Sequence, residues 1–163
     1  MRPAYSGVSD LSAATPKIVR MRGIIAVAFV LLGFVFPGVA NAETPPGCAS
    51  AAQIGSTGYV KWRGNNIASV KQFAGCGSNY SYVYVWESFR ATGRYWGTQT
   101  AIAVYGSAGD STPDSYKGGN SSQFAPVELW GKPAATLSKC TAAYGMINVQ
   151  QDDNFTAYSG KRC

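Results

Sequence analysis

Seven carboxylates follow residue 42: Glu43, Glu87, Asp110, Asp114, Glu128, Asp152 and Asp153. The 163 residues contain no histidine, which excludes imidazole-based triads and histidine zinc sites. The catalytic chemistry left open is a carboxylate pair of the kind that hydrolyses glycosides. Glu87 is the residue of interest, because strict alternation would set it between Val85 and Phe89 and opposite Thr98, a buried setting suited to a general acid. The plainer reading is a glutamate hydrogen-bonded to Thr98 or an arginine, or exposed at a sheet edge. Spacing names no partner for it, so no catalytic residue is assigned. Asp152-Asp153 reads as a turn pair, and as a calcium ligand only if other oxygens converge on it. No metal site and no cofactor are expected.

Two further constellations point to binding. Tyr80, Tyr82, Tyr84 and Trp86 alternate along one stretch and would form a row of rings on which sugars or partner side chains could stack. The alternative is a second layer of the core, where alternation produces the same row. Lys61, Arg63 and Lys71, flanked by Tyr59, form a candidate cationic face for an acidic polymer, with a solvated outer surface as its plain counterpart. Three Asn-x-Ser/Thr triplets begin at Asn79, Asn120 and Asn154; in a Ser/Thr-rich chain such triplets arise by chance, and no glycan is assigned to them.

What must position these residues begins with an address. Arg22 precedes an unbroken apolar run over residues 24–36, followed by Pro37-Gly38 and then Ala40-Asn41-Ala42. A basic start, a 13-residue apolar run and an Ala-x-Ala site make a secretory leader with cleavage after Ala42. A membrane span needs about 20 apolar residues, and this run is shorter. Residues 1–20 are expected to be an N-terminal extension upstream of the true start at Met21, 21–42 the signal peptide, and 43–163 a single secreted domain. Removing residues 1–42 takes away four of the 14 cations and one of the eight acids. The formal net charge drops from +6 to +3, so the basicity of the whole chain is no argument for nucleic acid.

All four cysteines, Cys48, Cys76, Cys140 and Cys163, lie after the leader. In an exported chain an even number of cysteines reads as disulfides, and no Cys-x-x-Cys pair suggests zinc. Of three connectivities, Cys48 with Cys76 and Cys140 with Cys163 is favoured, because each pair brackets a local stretch and the second ties down the last residue.

Period-two alternation with frequent turns predicts an all-β domain, a small antiparallel sandwich or barrel of about six to eight strands built from hairpins and stapled by two disulfides. The first hairpin joins 59–63 to 67–73 through a three-residue loop, Gly64-Asn65-Asn66. That register pairs Arg63 with Ile67 and puts Val60 and Trp62 on one face with Ala68 and Val70. A second joins 80–90 to 95–105 through Thr92-Gly93, setting Tyr82, Tyr84 and Trp86 over Ala103, Ala101 and Gln99. Residues 106–123 read as a long surface loop. A strand over 124–130, a short helix within 133–143, and a last hairpin of 144–150 with 154–158 complete the pattern.

At Tyr59-Val-Lys-Trp-Arg, Ala68-Ser-Val-Lys-Gln-Phe, Gly75-Cys76 and Tyr82-Val-Tyr-Val-Trp86, the chain resembles small exported actinobacterial proteins of unknown function. The resemblance covers residues 58–90 and implies an exported, disulfide-bridged β domain without supplying an active site. The functional expectation is a secreted, extracellular, non-catalytic binding protein. It would be a glycan- or protein-binding module or an inhibitor presenting the 106–123 loop, with an unknown extracellular protein or glycan as partner, no specific nucleic acid, and no membrane span after cleavage. Binding would rest on Tyr82, Tyr84, Trp86, Lys61, Arg63 and Lys71. The alternatives are a small hydrolase or toxin using carboxylate and arginine chemistry, or a structural envelope component.

Overall fold

The structure is a computed structural model that describes residues 43–163. The expected leader and N-terminal extension lie outside the described residues. Eight strands form two antiparallel four-stranded sheets facing each other as a sandwich. The first sheet has the order β1 (Ala52–Trp62), β2 (Asn65–Gly75), β3 (Ser78–Val85), β6 (Glu128–Trp130). The second has the order β5 (Ser115–Ser122), β4 (Trp96–Tyr105), β7 (Cys140–Val149), β8 (Asn154–Tyr158). The all-β sandwich is as expected, and both favoured disulfides are present, Cys48–Cys76 and Cys140–Cys163. Among the described residues no helix is long and apolar enough to cross a membrane. Two disulfides fit an oxidising compartment.

The β1–β2 turn differs from the predicted three-residue loop. It has two residues, Arg63 and Gly64, both at positive φ (50° and 81°) between the paired Trp62 and Asn65, which is the twist that suits a two-residue hairpin. Register shifts between Val60↔Ala68 and Lys61↔Asn66, so Ile67 is a bulged extra residue. The short turn moves the phase by one and the bulge moves it back. Val60, Ala68 and Val70 therefore share the buried face, as expected, although Val60 faces Ala68 and not Val70.

The predicted hairpin between 80–90 and 95–105 does not form. β3 bonds to β2 on one side and to β6 on the other, while β4 bonds to β5 and β7. After Val85 the chain makes one helical turn, α1 (Glu87–Arg90), and crosses to the second sheet. Phe89 anchors this crossing: it is buried, with its ring 5.6 Å from Trp62 and 5.5 Å from Trp96. Ala101 and Ala103 consequently lie opposite Tyr144 and Tyr116 and not under the β3 rings.

Four further expectations need correction. Residues 115–122 of the supposed long loop form an edge strand, whose polar, glycine-rich sequence suits a strand with one partner. Only Glu128–Trp130 of the 124–130 stretch is strand; Pro126 precedes it and cannot donate to a ladder. Residues 133–143 hold no helix, because Ala134 exchanges both backbone bonds with Asn79 at 2.9 Å and β7 begins at Cys140. The last hairpin forms, but with a longer turn than expected: Asn148 and not Gln150 lies opposite Asn154, and β7 ends at Val149.

The core between the sheets contains Val60, Val70, Val83, Val85, Phe89, Trp96, Ala143, Ile147 and Val149. Gly145 of β7 packs from the facing sheet onto the paired Val70 and Val83 of β2 and β3: a Cβ there would lie 2.5 Å from Val70 Cγ2 and 2.7 Å from Val83 Cγ2. Gly145→Ala is therefore expected to destabilise the domain by about 1–3 kcal/mol through overpacking, read as a lower denaturant midpoint. The joint Cys48→Ser and Cys76→Ser replacement opens a 28-residue closure, worth about 3–4 kcal/mol on chain entropy. Its first consequence should be faster proteolysis within residues 43–51.

Candidate functional site

The outward residues of the second sheet build a tyrosine cluster over alanines. β4 presents Gln99, Ala101 and Ala103, β7 presents Tyr144 opposite Ala101, β5 presents Tyr116 opposite Ala103, and β8 presents Tyr158 opposite Tyr144. The small side chains let the large rings of neighbouring strands lean across them. Tyr144 stands between Tyr116 (centroids 5.2 Å apart) and Tyr158 (5.3 Å), and the hydroxyls of Tyr116 and Tyr158 hydrogen-bond at 2.6 Å. Tyr116 is 48% exposed and Tyr158 38%, so the cluster faces solvent.

A bulge in β5 opens a hollow beside these rings. Thr100 faces Asn120 but Ile102 faces Lys117, so Gly118-Gly119 adds a residue opposite Ala101. With glycine and alanine forming the floor, a groove of about 480 Å³ remains, walled by Tyr116, Tyr144, Gln99, Asn120, Ser121 and Lys132. Its size falls in the usual range of small-ligand sites, about 300–1,000 Å³. Asn120 is held in place, its Nδ2 donating to Trp130 O (2.8 Å) and its Oδ1 accepting from Ser121 N (3.0 Å). Thr100 Oγ1 donates to Tyr144 O at 2.8 Å, fixing the backbone that carries the central ring. Among the described residues no carboxylate or thiol lines the groove, so its chemistry there is that of aromatic faces, amides, hydroxyls and one ammonium group.

The residues expected to bind lie elsewhere and do not converge. Tyr82 is 2% exposed, with its ring 4.3 Å from Trp130 and 6.2 Å from Phe73. Its hydroxyl donates to Glu128 at 2.8 Å. Burial, then that carboxylate, pushes the phenol above its ordinary range. It belongs to the second core layer, on which Cys48 and Ala51 pack. Tyr84 is half-buried beside that layer. Trp86 meets Tyr59 edge-on at 5.8 Å and lines a separate hollow of about 380 Å³ with Trp62, Asn66 and Phe89.

The cationic face is likewise dispersed. Lys71 Nζ donates to both oxygens of Glu43 (2.6 and 2.7 Å). Arg63 is drawn to the hairpin tip, 4.5 Å over Trp62 and 3.7 Å from Asp152. Lys61 stays exposed. Trp62 Nε1 donates to Asp152 Oδ2 at 2.8 Å, and this bond, the Asp153 amide and the nearby Arg63 and Arg94 hold the Asp152 carboxyl below its usual range. Asp152 is thus a structural acceptor between two hairpin tips. Glu87 is exposed on α1, away from the aliphatic row assigned to it. Among the described residues no group of three or more His, Cys, Asp or Glu is placed to hold a metal.

Sequence reasoning missed Tyr116, Tyr144, Tyr158, Gln99 and Lys132 as a set. The usable signal was the small pair Ala101 and Ala103, which demands large neighbours; assigning β3 as that neighbour supplied the wrong rings. Partial burial, then the bond to Tyr116, raises the Tyr158 phenol above its ordinary range. A raised value in the folded state means stability that is complete below about pH 10 and lost as pH rises through the folded value. Tyr116→Phe should therefore let the Tyr158 phenol ionise at lower pH, read from its own ring resonances, and make the alkaline loss of stability shallower. No family model, no curated protein and no solved structure matches the chain, so the groove is interpreted from its own chemistry.

Proposed function

We propose that residues 43–163 are a secreted, non-catalytic binding module whose groove on the outer face of the second sheet holds a carbohydrate chain. The observation that carries this reading is the groove itself: the exposed Tyr116 and half-buried Tyr144 rings beside Ala101, edged by Gln99, Ser121 and Lys132. Sugar rings present apolar C–H faces bordered by hydroxyls, which suits an aromatic wall rimmed with amide and hydroxyl groups. The leader pattern and the two disulfides support export.

The hydrolase alternative finds less support. Glycoside hydrolysis requires two carboxyl groups flanking one bond, and four of the seven are engaged elsewhere. Glu43 holds Lys71, Glu128 accepts from Tyr82, Asp110 accepts from Ser107 and Asp152 accepts from Trp62. An inhibitor presenting the 106–123 loop is weakened by the commitment of residues 115–122 to an edge strand.

The oxidised chain from residue 43 is expected to bind at least one member of an immobilised polysaccharide panel. Tyr144→Ala should reduce that affinity by about tenfold or more, and Gln99→Ala, at an exposed position that tolerates change, by a smaller factor. Trp86→Ala and Glu87→Gln should leave it unchanged. Retention of no polysaccharide, or full binding by both groove variants, would refute the reading.

A further inference from the structure

We infer that the groove selects an acidic glycan, with Lys132 as the residue that reads the charge; this rests on the carbohydrate reading and narrows it. Lys132 is the one charged residue among the described residues that line the groove. It is exposed and has no ion pair among the described residues.

The position of Lys132 is a product of construction. It lies two residues past the end of β6, a strand of the first sheet, yet it stands on the wall of a groove in the second. Three bonds carry it across. Gly131 N donates to Ser81 O at 2.8 Å, Lys132 N donates to Gly118 O at 2.8 Å, and Asn120 Nδ2 donates to Trp130 O at 2.8 Å. Two close approaches accompany them. A Cβ at Gly118, which has φ +60°, would collide with the Lys132 carbonyl, and one at Gly131 would collide with Ser81 Oγ. Pro133 then limits the backbone immediately after it. A lysine that only kept the surface soluble would need none of this clamping. A fixed Cα beside an aromatic wall, carrying a flexible cation with no partner, suits a ligand that lays its ring on tyrosine and presents an anion to Nζ.

The electrostatics agree. From residue 43 onward the chain carries 10 cations and seven acids, and none of the acids lines the groove. The ammonium therefore meets an anionic ligand without a competing carboxylate on the same wall. Long-range attraction from a net charge of +3 is slight at physiological salt, so the selectivity resides in this one local contact.

The test uses matched pairs that differ only in charge. Hyaluronan, alginate and polygalacturonate oligomers are each compared with their carboxyl-reduced neutral forms, and dextran sulfate is compared with dextran. At least one acidic member should bind roughly fivefold or more tighter than its neutral counterpart, a preference that shrinks as salt is raised. Lys132→Gln should bring that ratio to near one by weakening the acidic form far more than the neutral one, and Lys132→Arg should keep most of it. Equal binding of acidic and neutral forms, or a preference that survives Lys132→Gln, overturns the inference and leaves the carbohydrate reading standing. If the unaltered chain binds no member of any pair, both fall together.

Discussion

β3 has neighbours on both edges over residues 82–84, β2 along its length and β6 at Tyr82, Val83 and Tyr84. Backbone donors and acceptors engaged on two sides cannot serve a third strand. β4, the next strand in the chain, is thereby excluded from both edges of β3 over these residues and pairs in the second sheet. Much of the remaining architecture derives from that exclusion. The helical turn at α1 is the shortest way off the first sheet, Phe89 is the apolar anchor that fixes where the crossing lands, and the face of β4 not turned to the core becomes available for β5 and β7 rings.

Two sheets related by a crossing still have to be held at their rims. On one side β1 leaves its ladder between Ile54 and Gly58, and Ser56 O accepts from Gly160 N at 2.7 Å just past β8. On the other, Gly118 of β5 meets Lys132 and Gly131, just past β6. In each place backbone approaches backbone at a glycine, because a side chain would keep the sheets apart. Inside, the buried amide of Gln72 on β2 donates to Thr141 Oγ1 on β7 at 2.7 Å, a bond whose loss would strand a buried donor and so favours this one alignment of the sheets. The sandwich is thus defined by apolar burial at its centre and by directional polar contacts around it.

How much of this architecture was legible in the sequence depends on the range of each signal. Alternation is local, and it assigned Val60, Ala68 and Val70 to one face even though the turn was misread, since face identity depends on the parity of the register and the Ile67 bulge restored it. The cysteine pairs and the last hairpin were readable for the same reason, being close in sequence. Pairing strands that are neighbours in the chain is only a tendency, and at 80–105 it failed. Nothing near Val85 announces that the edge of β3 will be taken by three residues arriving more than forty positions later. The groove was illegible as a consequence, since it needs β4, β5 and β7 side by side and a bulge at Gly118-Gly119 that is visible only once Thr100 and Ile102 have partners.

Both sheets carry tyrosine-rich outer faces, and what separates their roles is where the chain ends are tied. On the first sheet Cys48, bonded to Cys76, packs with Ala51 on Phe73, Tyr80 and Tyr82, and Glu43 reaches Lys71 beyond them. A face that could have stacked on a ligand is thereby closed into a second core. On the second sheet the other disulfide holds Cys163 to the start of β7, and the residue nearby that turns inward is Lys161. Its Nζ lies 4.0 Å over the Tyr105 ring and donates to the carbonyls of Ala108 and Asp110. That covers Tyr105, which is 6% exposed, and stops there. Tyr116, Tyr144 and Tyr158 lie further across the same sheet with no segment of the described residues over them. The same aromatic alternation therefore yields packing where a stapled strap crosses it and a solvent-facing wall where no described strap does, which is why residue type alone could not tell Tyr82 from Tyr144.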